Sequence, residues 1–113
     1  MAAIPLLADV IDRVTLNNPG TNVQEIALDQ RVRYIEVLGY DAAGTGRDEC
    51  YIAFVGTDGA ALGADYETVL ATELSPRRFT IARRARRLGG YSVFLASGTA
   101  SAIVEIRTSS REP

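Results

Sequence analysis

The sequence has no histidine, no lysine and no tryptophan, and only one cysteine, Cys50. Without imidazole, Ser-His-Asp and Cys-His nucleophilic catalysis, histidine acid–base chemistry and every zinc site that needs a histidine nitrogen are excluded. A single thiol forms neither an internal disulfide nor a four-cysteine metal cluster. Long apolar runs are also missing. Ala2-Ala3-Ile4-Pro5-Leu6-Leu7-Ala8 carries a proline, stops at Asp9 and has no basic residues before it. It fits neither a secretory signal nor a membrane span, so the expectation is a chain made in a cytoplasm with no membrane partner. There is no internal repeat and no low-complexity tract.

What remains is one domain's worth of ordinary globular sequence: 113 residues, 47% hydrophobic and 23% charged, with a formal net charge of −2. Short β-type runs alternate with turn residues. The expected strands are 9–16, 23–28, 31–38, 50–55, 68–74, 78–83, 91–96 and 102–107. Between them lie Asn17-Asn18-Pro19-Gly20, Asp41–Gly46, Gly56-Thr57-Asp58-Gly59, Ser75-Pro76, Gly89-Gly90 and Ser97-Gly98. Glycine permits positive φ, Asn and Asp cap locally, and proline fixes φ, so each connector is a turn with a mechanism. This spacing predicts an all-β protein, a single β-sandwich or jelly-roll-like small domain of about eight short antiparallel strands. Residues 1–8 would form an apolar amino-terminal arm, 9–108 the sandwich and 109–113 a polar tail. Alternation places Ile35, Val37, Ile52, Phe54, Phe79, Ile81, Val93, Leu95, Val104 and Ile106 in the core. Tyr51–Val55 and Val93–Ala96 are apolar throughout and read as central strands covered on both faces.

Few residues point to chemistry. Gly56–Gly63 is glycine-rich but lacks the Gly-Lys-Ser/Thr of a phosphate loop. Asp41, Asp48, Glu49, Asp58 and Asp65 fall in loops without the spacing of a calcium loop. Cys50 opens an apolar strand and reads as a buried, inert thiol. No catalytic, cofactor-binding or metal-binding residue is expected.

The charges are unevenly spread. Residues 1–73 hold 12 acidic and 4 basic side chains, residues 74–113 hold 8 basic and 2 acidic, and every basic residue is arginine. Arg77, Arg78, Arg83, Arg84, Arg86 and Arg87 fall within eleven residues. Such a cluster is a solvated edge guarded by charge, a set of paired contacts to a neighbour's carboxylates, or a polyanion site. The acidic pI near 5.1 and the lack of interleaved aromatics argue against nucleic acid. The expected reading is a protein interface formed by these arginines together with Ile4, Leu6 and Leu7 of the apolar arm, which would add itself to a neighbouring copy.

The strand Arg33-Tyr34-Ile35-Glu36-Val37, the run Tyr51–Asp58, the step Leu74-Ser75-Pro76-Arg77-Arg78-Phe79 and the closing hairpin Tyr91–Ile106 carry a resemblance. From Val32 to Ser110 the chain resembles small β-sandwich virion proteins of tailed bacteriophages, namely capsid decoration (cement) proteins and related structural proteins. The resemblance implies a non-enzymatic homo-oligomer, often a trimer, that binds the major capsid protein or other virion proteins and ends up in the virion. It does not separate head from tail or head–tail positions. A carbohydrate-binding or adhesin-like module is the alternative, weakened by the missing tryptophan.

Overall fold

Runs rich in Val, Ile, Tyr and Phe, bounded by Gly, Pro and Asn, become strands because branched and aromatic side chains pack well on a pleated surface. The computed structural model describes residues 3–81 and 91–111. Among them lie β1 (Ile4–Leu6), β2 (Ile11–Thr15), β3 (Gln24–Leu28), β4 (Tyr34–Tyr40), β5 (Cys50–Ala53), β6 (Glu67–Val69), β7 (Arg77–Thr80), β8 (Tyr91–Ala96) and β9 (Ile103–Ser109). The protein is all-β, with no helix among the described residues and so none long and apolar enough to cross a membrane.

Two sheets result. Sheet A has the order β1-β3-β8-β5-β6 and sheet B the order β2-β9-β4-β7. Apart from β1, which runs parallel to β3, every neighbouring pair is antiparallel. From β2 onward the chain crosses from one sheet to the other at each connection except the β5–β6 hairpin. That is the winding of an eight-stranded jelly roll, with β1 added beside β3.

Between the sheets, Leu6, Ile26, Leu28, Cys50, Ile52, Val69, Val93 and Leu95 of sheet A meet Val14, Ile35, Val37, Phe79, Val104 and Ile106 of sheet B. Each large side chain taken from water there contributes about 1.5–3 kcal/mol. Gly39 of β4 faces this layer where a Cβ would collide with the Asp48 carbonyl and press on Cys50, so only glycine lets the two sheets close there.

Three expectations differ from the structure. The described part of the expected arm is not separate: Ile4–Leu6 pairs with Ile26–Leu28 of its own chain, and Leu6 enters the core, while residues 1–2 lie outside the described residues. Burying Leu6 and part of Ile4 at home takes away most of the apolar surface that an arm would offer and leaves Leu7 outside. Phe54 is 43% exposed, because β5 ends at Ala53 and the chain swings outward there. The strand expected over 68–74 is only Glu67–Val69, and the turn after it leaves Leu74 fully exposed.

The start of the tail is also tied in, with residues 112–113 outside the described residues. Asp9, held at φ 62°, accepts hydrogen bonds from the backbone N–H of Ser110 at 3.0 Å and from its hydroxyl at 2.7 Å. The Thr108 hydroxyl donates to the Leu7 carbonyl at 2.7 Å. A left-handed backbone at a non-glycine residue is uncommon, and here those two bonds hold it.

Candidate interaction surfaces

Cys50 and four of the five loop carboxylates singled out in the sequence are engaged in structure, and the fifth, Asp65, lines the groove described below. Burial pushes the Cys50 thiol up to about 12, which leaves no thiolate at neutral pH. Glu49 accepts a 2.6 Å hydrogen bond from the Tyr51 hydroxyl, and that bond raises the tyrosine's pKa. Asp48 accepts from the Thr99 hydroxyl at 2.5 Å, Asp41 from the Thr45 amide at 3.3 Å, and Asp58 from the Glu25 amide at 2.9 Å. These loop carboxylates serve separate places, and no group of three metal-ligating side chains forms among the described residues.

Of the residues expected at an interface, Arg77 and Arg78 lie on β7, at the edge of sheet B. Arg77 is 3.1 Å from Glu67 and 3.8 Å from Glu73, donates to the Thr68 carbonyl at 3.2 Å, and lies over the Phe79 ring. Arg78 is 3.5 Å from Glu36 and stacks on Tyr34 at 4.3 Å. Both therefore meet carboxylates of their own chain. Arg83, Arg84, Arg86 and Arg87 lie outside the described residues. Ile4 packs partly against the core and Leu6 lies within it, so only Leu7, 63% exposed, offers surface. Beside it, Ile11 and Pro5 complete a shallow apolar corner.

The outer face of sheet B is a surface that sequence reasoning did not assemble. Pairing lines up Ile11, Arg107, Glu36 and Arg78 across all four strands, with Arg13, Glu105 and Leu38 in the adjoining row. Arg13 sits 3.4 Å from Glu105, donates to the Gly44 carbonyl at 2.7 Å and covers Tyr40 at 4.4 Å. Arg107 reaches the other oxygen of Glu105 at 3.2 Å. Glu105 is thus screened from water between two guanidinium groups. Alternation alone points these side chains outward; only the register brings them together. Arg47 was missed as well: it donates to the carbonyls of Gly39, Leu70 and Glu73 and so pins the β6–β7 connection.

A groove of about 460 Å³ is lined by Phe54, Val55, Ala64, Asp65, Tyr66 and Glu67. Phe54 rests on Phe79, with ring centroids 5.7 Å apart, and Tyr66 meets Tyr51 edge-on at 5.3 Å. Exposed aromatic and aliphatic surface beside carboxylates suits binding.

Searches against protein-family models, curated proteins and solved structures find no match for this chain. The arrangement offers surfaces: an arginine-lined sheet edge, a charged sheet face and an apolar groove.

Proposed function

We propose that this chain is a non-enzymatic structural protein of a tailed-phage virion, made in the host cytoplasm and assembled onto the capsid as a decoration or cement subunit. The observation that carries this reading is the strand order. β2-β9-β4-β7 facing β3-β8-β5-β6 is the jelly-roll winding that viral capsid domains share with lectins and cupins. The metal chemistry of histidine-ligated members is closed to a chain without histidine. Rigid sheets with outward-facing arginine and aromatic side chains suit a subunit that clamps its neighbours, since those residue types dominate interface energetics. Fold likeness alone does not fix function, so the test is one of location. Antibody labelling of purified particles should decorate the capsid shell. Label confined to the tail or the head–tail junction would move the subunit there, and particles that lack the protein would overturn the reading.

The groove at Tyr66 supports a second reading, a carbohydrate-binding module. Tyr66 is 42% exposed and lies beside Asp65 and Glu67, an arrangement able to stack a sugar ring and accept its hydroxyl hydrogen bonds. Glycan-array binding that is lost in Tyr66→Ala would favour it over the virion role.

A further inference from the structure

A two-sheet sandwich has four edge strands, and each exposes backbone groups to any passing strand unless it is guarded. Here β1 and β6 border sheet A, and β2 and β7 border sheet B. On β1, the Leu6 carbonyl accepts from the Asp29 amide at 2.9 Å, which turns Leu6 toward β3 and Pro5 outward. Pro5 has no N–H to offer. On β2, bonds from Thr108 to the Val10 carbonyl and from Leu16 to the Ala102 carbonyl turn the even-numbered residues toward β9. The outward amide at the middle of β2 is that of Arg13, and it donates at 2.8 Å to the carboxylate of Asp12. On β6, only three residues long, the central Thr68 carbonyl is taken by Arg77.

β7 differs. The Ile81 amide donates to the Arg33 carbonyl at 2.9 Å, so Arg77, Phe79 and Ile81 turn toward β4 while the backbone of Arg78 and Thr80 turns outward. Both residues are exposed, and no partner meets that edge among the described residues. Next to it stands the apolar surface of Phe54, tilted against the Phe79 ring, and of Val55, 87% exposed.

We propose that β7 pairs antiparallel with β7 of a second copy, joining two B sheets into one continuous sheet across a two-fold axis. Of the four edges, β7 is the one where neither outward residue meets a cap among the described residues, and pairing of β7 with itself is a self-complementary contact, which is two-fold by necessity. The register follows from charge. With Phe79 on the axis, Arg78 lies across from the second copy's Thr80 and Arg77 across from its Ile81, so no arginine faces an arginine. The outward groups of Arg78 and Thr80 then exchange hydrogen bonds in both copies. Phe79 meets its counterpart in the non-hydrogen-bonded position where side chains approach most closely. Phe54 and Val55 lose water beside it. The inference stands apart from the virion reading: a dimer absent from particles would defeat that reading and leave this one intact.

Sedimentation velocity over a concentration series tests it. The full chain should form a reversible dimer. Thr80→Pro removes an outward N–H while leaving the β4 pairing whole, and it should weaken dimerisation roughly tenfold or more. Thr80→Ala, which keeps that N–H, should leave dimerisation unchanged. If Thr80→Pro impairs folding, disulfide trapping decides, because Cys50 is buried and takes no part. Arg78→Cys mixed with Thr80→Cys should crosslink on oxidation far more readily than either variant alone, since these positions oppose each other only between copies. A wild-type chain that stays monomeric at its highest soluble concentration would overturn the proposal. So would an assembly that a folded Thr80→Pro leaves unchanged, or single variants that crosslink as readily as the mixture.

Discussion

On the outside of sheet A, Ala53, Phe94 and Ala96 lie beneath the loop that joins β5 to β6, in a second apolar cluster with Val23, Tyr51 and Leu62. On the outside of sheet B, Arg13, Arg107, Glu36 and Arg78 face solvent in paired rows, with Glu105 tucked between two of the arginines. The loop over sheet A is held to the segment leading into β3 by backbone bonds: the Gly59 amide donates to the Val23 carbonyl, the Val23 amide to the Ala60 carbonyl and the Leu62 amide to the Thr21 carbonyl. An apolar outer face needs a cover that brings its own backbone partners. A face of alternating charge needs only neighbours of opposite sign, and gains little stability from each pair.

That contrast predicts an order of sensitivities. Leu95→Ala, between the sheets, and Phe94→Ala, beneath the loop, should each cost about 2–5 kcal/mol in denaturant unfolding. If Phe94→Ala costs no more than Phe54→Ala at its half-exposed site, the loop does not seal sheet A. Asp58→Ala removes the carboxylate that holds the Glu25 amide and should cost about 1–2 kcal/mol. Amide exchange across 54–66 should then accelerate while β9 keeps its protection. On sheet B, Glu105→Gln should cost about 1 kcal/mol or less, and the difference should shrink as salt is added. A larger, salt-independent loss would mean that the charged face is as tightly sealed as the apolar one.

The smallest effect concerns acid. Hydrogen bonds from the Ser110 backbone and hydroxyl hold the Asp9 carboxyl below its ordinary value of 3.8. A carboxyl lowered in the folded state stabilises it above the unfolded value, and that contribution disappears as pH falls through the folded one. Asp9→Asn should therefore flatten the acid limb of the stability profile below about pH 4 and leave the neutral region with the same slope.

Eight of the strands were legible because their runs of branched and aromatic residues end at residues with a mechanical reason to turn. Tyr91–Ala96 even has the bounds its sequence suggests. β1 was not legible, since three residues with a proline in the middle carry no periodic signal and its pairing with β3 spans twenty-two positions. Phe54 misled because its alternation continues past Ala53, where the strand itself has stopped. The charged face was half legible. Arg13 and Glu105 each alternate outward, but nothing local announces that residues ninety-two positions apart become neighbours when β9 inserts between β2 and β4. Arg47 gave no signal at all, because its three carbonyl partners belong to turns whose shape only the folded chain defines.

The clasp between Asp9 and Ser110 brings the first and last strands' ends to one corner, beside β2 and across sheet B from β7. For an engineer this is a single mounting point. A label carried on the Asp9 turn or on Ser110 would sit at that corner and leave the β7 flank clear, and exposed turns such as the one around Gly20 offer separate points of attachment.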